Sequence, residues 1–378
     1  MIRLALVGSG AYFLYPLYDN KIYFSHQETP ENLNLISSSP SLSKGIFTPT
    51  PWLANGILQA LFGSSKGELP GHTPYGKDFD YQREYIKLPD NGTISIDWAI
   101  HGEMDQNNKI LIISPGLTGG SKSQYIRNAV EVAVEKGYRV AVVHGRGIHD
   151  NPLTSPKTNH CGLSSDLAFG IAHIHSKYPN APLLGLGTSM GGNLMLKYAG
   201  ETGKNCLLKG ISVVSTPYNL PVVIKALGRA WPYAGFPEKY LLKNLRQNLQ
   251  TNWQVLEEIG KESIDLEKAL KAESVYEFDN LITCKIHQYE TPDHYYQDAS
   301  CVNYMKNIEI PTFALSSLDD PVVTSECIPY EEFKANPKLI LGVTRTGGHV
   351  GWFNGMVTPR RWYAIPAIEF LDSVLGSS

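Results

Sequence analysis

Three short stretches of this chain carry residues that could do nucleophilic chemistry together. Gly187-Thr188-Ser189-Met190-Gly191 places a serine between glycines two before and two after it. This G-x-S-x-G arrangement permits a sharp, strained strand-to-helix turn that lifts the serine oxygen clear of the backbone. Gly347-Gly348-His349 offers an imidazole on a loop freed by two glycines, and Asp319-Asp320-Pro321 offers a carboxylate. A histidine in reach takes the serine proton, an acid orients the histidine, and the serine oxygen attacks a carbonyl carbon. That chemistry is acyl transfer through an acyl-enzyme. It also needs two backbone N–H groups for the oxyanion, one from the residue after the nucleophile and one from a loop after an earlier strand. Met190 supplies the first, and Leu117, within Pro115-Gly116-Leu117-Thr118-Gly119-Gly120, is the expected second.

The five-residue pattern alone is weak, because Gly63-Ser64-Ser65-Lys66-Gly67 matches it too. Context separates the two. Ser65 sits in a polar stretch with no buried strand before it, whereas Ser189 follows the apolar Leu183-Leu184-Gly185-Leu186 and precedes a helical run. His349 lies just past an apolar run and follows the serine in the chain. His144 and His149 precede the serine and fit that order poorly. Two adjacent aspartates would repel if both were buried, so one should face water or a backbone cap. Asp320 is the chosen acid, since an acid, one residue and then two apolar residues is the usual spacing; Asp319 is the alternative. The glycine-rich loop after residue 114 could instead cradle a phosphate, but neither G-x-G-x-x-G nor GxxxxGK[ST] is present there.

These residues need a scaffold. Tyr81 to Leu88 and Thr93 to Ile100 alternate around Pro89-Asp90-Asn91-Gly92, which predicts an antiparallel hairpin. Six apolar runs follow: Lys109 to Ser114, Tyr138 to Val143, Pro182 to Leu186, Leu208 to Val214, Pro311 to Leu315 and Lys338 to Val343. Continuous apolar runs suit strands buried on both faces. Helical patterns at Ser123 to Lys136, Ser165 to Lys177 and Gly192 to Gly200 separate several of them. The result is an α/β fold with a mostly parallel sheet and helices on both faces. Residues 81–216 and 310–378 form this core, residues 1–80 an N-terminal extension packed outside it, and residues 217–309, too long for one crossover, an inserted helical lid. Within the lid, Leu242 to Leu270 reads as amphipathic helix.

The chain has 378 residues, 42% hydrophobic and 18% charged with a net charge of -3, a composition that supports a large core and excludes general disorder. Without a basic stripe or a run of like charges, no nucleic-acid binding is expected. Five scattered cysteines lack a CxxC pair, which fits a reducing, intracellular setting. His173 and His175, two apart on a predicted helix, point to different faces, so no metal site is expected. The chemistry above needs no cofactor. Residues 4–18 are mostly apolar but short for a span and broken by Gly8, Gly10 and Pro16; membrane association through them is an open expectation.

Several motifs resemble the EMB8/YheT-like (ABHD1/ABHD3-type) family of α/β-hydrolase domain proteins. They are Pro115 to Ser121 with Tyr125-Ile126-Arg127, His144-Gly145-Arg146-Gly147 followed by Pro152-Leu153, and Gly187 to Asn193. To these add Tyr295-Tyr296 with Ala299-Ser300, Asp319-Asp320-Pro321, and Phe47-Thr48-Pro49-Thr50-Pro51-Trp52 with Asn55-Gly56. The resemblance extends from about Lys44 to Trp352. It implies the α/β-hydrolase fold and a triad of Ser189, Asp320 and His349. It also implies esterase or lipase activity on medium-chain acyl esters, acylglycerols or phospholipids, with alcohol acyl transfer in fungal members. His144 stands where relatives often have Asn, and the H-x-x-x-x-D acyltransferase motif is missing. Some animal relatives carry an N-terminal membrane anchor, which bears on residues 4–18.

Overall fold

The computed structural model describes residues 19–64, 78–102, 105–229, 235–260 and 264–376. Residues 4–18 and Ser65 lie outside the described residues. A nine-stranded sheet runs through the chain, built from β1 (Tyr23–His26), β2 (Tyr81–Lys87), β3 (Thr93–Ala99), β4 (Ile110–Ser114), β5 (Arg139–His144), β6 (Leu183–Thr188), β7 (Gly210–Val214), β8 (Thr312–Ser317) and β9 (Leu339–Thr344). Their order across the sheet is β1-β9-β8-β7-β6-β4-β5-β3-β2. β5, β4, β6, β7, β8 and β9 are mutually parallel; β3 pairs antiparallel with β5, and β2 with β3.

The parallel strands are buried along almost their whole length, as their unbroken apolar sequences require. Side chains alternate between two cores. Ile110, Ile112, Ala141 and Val143 face Leu167, Ile171, Leu194 and Met195, from the helices Ser164–Lys177 and Met190–Thr202. Leu111, Ile113, Val140 and Val142 face Ile126, Ala129, Val130 and Phe370, from the helices Gln124–Glu135 and Ala364–Gly376. Each fully buried aliphatic side chain contributes about 1.5–3 kcal/mol relative to exposure, so the two cores hold the strand ends, where the loops emerge, in fixed register.

Residues before the hairpin do more than pack outside. Tyr23–His26 adds to the sheet as an antiparallel edge beside β9, with Tyr23 opposite Val343 and His26 opposite Ile340. Four residues are too few to show periodicity, which is why the strand is invisible in the sequence. Farther on, a turn at Pro51–Leu53 leads into the helix Gly56–Ser64.

Between β7 and β8 the described residues are helical. The pattern over 242–270 belongs to three helices, Phe236–Thr251, Trp253–Gly260 and Leu266–Lys271. Asn252 marks the first break: its Nδ2 donates to the Gly147 carbonyl at 2.9 Å, tying this segment to the loop after β5. Asp265 caps the third helix by accepting from Lys268 N–H at 2.9 Å. Leu242, Leu249, Leu256 and Leu266 pack with Phe278 and Ile282 into a separate core.

One charge is buried here. Asp279 accepts hydroxyl hydrogen bonds from Thr283 at 2.5 Å and Tyr296 at 2.7 Å. Burial pushes its carboxyl up to about 6, and the two hydroxyls offset this only partly. Because the folded value lies above that of an unfolded Asp, the folded state binds the proton more tightly. Stability is therefore full at acid pH and falls as pH rises through about 6, by about 3 kcal/mol in all. Thermal unfolding of Asp279→Asn should lack this loss, so its melting temperature should gain on wild type between pH 4 and pH 7. A gap between the two that does not change with pH would refute the assignment.

Candidate active site

Ser189 stands between β6 and the helix Met190–Thr202 with φ 50° and ψ -123°, a conformation that a side chain rarely adopts. Its N–H donates to Val214 O at 2.8 Å, and its carbonyl accepts from Gly192 and Asn193, which locks the turn from both sides. Gly191 is there because of close approach: an added Cβ would overlap the Ser114 carbonyl oxygen and crowd that of Pro115. The helix thus rests directly on the end of β4. Asn193, fully buried, bonds onward to Cys161 O and Ala299 O at 2.8 Å and accepts from Cys301 N–H at 2.9 Å.

Asp320 and His349 come from the loops after β8 and β9. His349 Nε2 is 2.9 Å from Ser189 Oγ, and its Nδ1 is 2.9 Å from Asp320 Oδ2 and 3.1 Å from Oδ1. Asp320 is 2% exposed and also accepts from the N–H groups of Val322 and Val323 at 2.8 and 2.9 Å. With the carboxylate on Nδ1, the imidazole carries its proton there and presents the Nε2 lone pair to the serine hydroxyl. Asp319 points elsewhere. It accepts from Thr346 Oγ1 at 2.5 Å and from Gly347 and Gly348 N–H at 3.0 Å each, and burial raises its carboxyl above the usual range.

The loop after β4 meets Ser189 from the other side. A Cβ at Gly116 would lie 3.2 Å from Ser189 Cβ, so this backbone passes against the serine. Leu117 lines the cleft, whereas the Met190 side chain turns into the core and leaves only its backbone for the site. Among the described residues neither the Leu117 nor the Met190 N–H has an acceptor. Gly116 N–H donates to Tyr125 Oη at 3.1 Å, and burial pushes that phenol up to about 12, so it stays protonated.

His144 and His149 stack on each other at 5.1 Å beneath this loop, with His144 Nε2 3.1 Å from Asp97 and the His149 ring against Gly120. Burial lowers both, His149 to about 4, so they are neutral at pH 7. Asp97 itself accepts from Arg83 at 2.7 and 2.8 Å and from Ser121 Oγ at 2.5 Å. Burial alone would raise its carboxyl; these donors outweigh it and hold the group well below the usual carboxylate range. No reading of motifs pointed to Asp97. The signal was a lone acid in the strand Thr93–Ala99, otherwise fit for burial.

A cleft of about 560 Å³ opens over Ser189 and His349. One wall is Ala60, Gly63 and Ser64, another is Phe236, Pro237, Tyr240 and Leu241 from the helices following β7, and Lys122, Arg127 and Asn244 supply polar groups. Among the described residues no three His, Cys, Asp or Glu side chains gather as a metal site would require, and no helix is long and apolar enough to cross a membrane.

Residues 109–355 match the family described as the alpha/beta hydrolase fold, and the chain belongs to that family. The structure of Est1E from Butyrivibrio proteoclasticus with ferulic acid bound shares the fold at 12% identity with a TM-score of 0.52 over 78% of this chain and 99% of that one. Within the family the sequence sits with the ABHD3-type branch: it is 36% identical to phospholipase ABHD3 of Mus musculus, over 74% of this chain and 68% of that protein. It is also 29% identical to a monoacylglycerol lipase of Saccharomyces cerevisiae, over 93% and 88% of the respective chains.

The contact at Gly191 is testable by itself. Gly191→Ala should lower stability to urea by about 3 kcal/mol or more, because backbone rather than a flexible side chain must give way. Unfolding at the wild-type urea concentration would contradict the close approach.

Proposed function

We propose that this chain is a serine hydrolase of lipid carboxylic esters, with Ser189 the nucleophile, His349 the general base and Asp320 the acid that orients it. The observation that carries the reading is the unbroken line from Asp320 through His349 to Ser189, with both links at 2.9 Å, on the floor of a cleft. The names of the relatives, a phospholipase and a monoacylglycerol lipase, favour lipid esters as the substrate class.

In this mechanism His349 Nε2 removes the Ser189 proton as the oxygen attacks the ester carbonyl, and the Leu117 and Met190 N–H groups hold the resulting oxyanion. Asp320 keeps the imidazole in the required tautomer and stabilises its charged form. The alcohol leaves with the proton from His349, and water, deprotonated by the same imidazole, frees the fatty acid. The segment 217–309 serves as a lid. Phe236, Pro237, Tyr240 and Leu241 line an apolar wall for the acyl chain, while Lys122, Arg127 and Asn244 face the polar part of the substrate.

A fluorophosphonate probe should label wild type and leave Ser189→Ala and His349→Ala unlabelled. On a panel of esters of graded chain length these variants should lose about a millionfold in kcat, and Asp320→Asn about ten-thousandfold. Persistent labelling of Ser189→Ala, or a flat profile that does not depend on Ser189, would overturn the reading. Product analysis with added alcohol distinguishes hydrolysis from acyl transfer, since free acid alone excludes the latter.

A further inference from the structure

We propose that Asp319 is a positioning residue, whose carboxylate holds the turn 346–348 from which His349 reaches Ser189; this inference rests on the functional reading above. The two neighbouring aspartates divide the work by geometry. Asp320 is directed at the imidazole, while Asp319 has both oxygens committed to the turn: Oδ1 accepts from Gly347 and Gly348 N–H, and Oδ2 from the Thr346 hydroxyl. Three consecutive residues leading into His349 therefore hang from one carboxylate.

The carbonyls of the turn have donors of their own, Thr344 Oγ1 to Thr346 O at 2.8 Å, Trp352 N–H to Gly347 O at 2.9 Å and Ser317 Oγ to Gly348 O at 3.2 Å, while its two glycine amides and the Thr346 hydroxyl rest on Asp319. Gly348 sits at φ 59° and carries no side chain to pack. Just beyond His349, Val350 and Trp352 also have positive φ, at 54° and 45°, which is strained for residues of their type. Such a segment keeps its conformation only where neighbours over-determine it.

The helix Gly56–Ser64 completes the clamp from the far side. A Cβ at Gly56 would overlap the Asp319 carbonyl and carboxyl, and a Cβ at Gly348 would strike the Gly56 carbonyl. Gln59, fully buried, accepts from Phe353 N–H at 2.9 Å and lies with its Nε2 3.5 Å from Thr346 Oγ1. Asp319 is thus enclosed between the end of β8, the turn and this N-terminal helix, and its position is transmitted to the imidazole through backbone alone.

The requirement is for acceptor oxygens and not for charge. An amide in the same place keeps Oδ1 for the two glycine N–H groups and can offer Nδ2 to the Thr346 oxygen. Kinetics of Asp319→Asn and Asp319→Ala on a short-chain ester, with fluorophosphonate labelling rates in parallel, test this directly. Asp319→Asn should stay within about threefold of wild type in kcat. Asp319→Ala should lose about 100-fold, the effect of a misplaced reacting group, with KM unchanged within about twofold and the labelling rate reduced to match. Wild-type kcat in Asp319→Ala would overturn the proposal, as would an Asp319→Asn variant as impaired as Asp319→Ala, since the charge would then be what matters. Should Asp319→Ala fail to fold, Thr346→Val decides. It removes one of the three bonds in place and should lower kcat about tenfold without moving KM, and an unchanged kcat overturns the proposal. Failure of the functional reading itself shows separately, as labelling that survives Ser189→Ala.

Discussion

The site depends on one close backbone contact, the first turn of the helix Met190–Thr202 resting on the carbonyls that end β4. β4 and β6 are hydrogen-bonded neighbours in the parallel sheet, so the loops at their ends emerge side by side. Gly191 lets the two approach until no side chain fits between them. From that contact the rest follows: the serine is turned out at positive φ, Gly116 comes against its Cβ, and the N–H groups of Leu117 and Met190 are left without acceptors among the described residues. A wider spacing of β4 and β6 would separate Ser189 from the loop after β4, and no side-chain rearrangement could restore the contact.

Much of this was legible because burial on both faces leaves a plain mark in sequence. Ile110–Ser114 or Leu183–Thr188 cannot be read as anything exposed, and the structure places each within a residue or two of its apolar run. Strand-to-helix context picked out Ser189, chain order favoured His349, and the spacing around Pro321 favoured Asp320 with Asp319 left as the alternative; the structure brings Ser189, His349 and Asp320 together. What stayed hidden obeys other rules. β1 is a four-residue edge strand whose pairing is set by β9 and not by its own pattern. The helices after β7 break at Asn252 because its side chain finds the Gly147 carbonyl, a long-range bond that no local periodicity encodes. Gln59 and Asp97 are polar residues among apolar ones, and their partners lie far away in sequence.

Electrostatics explains why two aspartates stand side by side near the imidazole. Like charges this close disfavour each other's ionisation, and each must be compensated locally. Asp320 has two backbone N–H groups and the histidine; Asp319 has two backbone N–H groups and a hydroxyl. The two sets of partners do not overlap, so the acids are not interchangeable even though both are carboxylates on one turn.

The glycines that make close approach possible also remove the usual means of holding a loop. Residues 115–120 and 347–348 have few side chains to bury, so hydrophobic packing cannot fix them and hydrogen bonds must. In both places the anchor is a carboxylate next to the loop: Asp97 grips Ser121 at the end of the first, and Asp319 grips the amides of the second. Buried carboxylates are costly unless fully satisfied. Each is satisfied here, Asp97 by Arg83 and Ser121, Asp319 by the turn it organises. A carboxyl group places two acceptor oxygens in a fixed geometry, and each can take more than one bond. A glycine loop held by a carboxylate can therefore be both close to the reacting atoms and rigid, two properties that packing alone would set against each other.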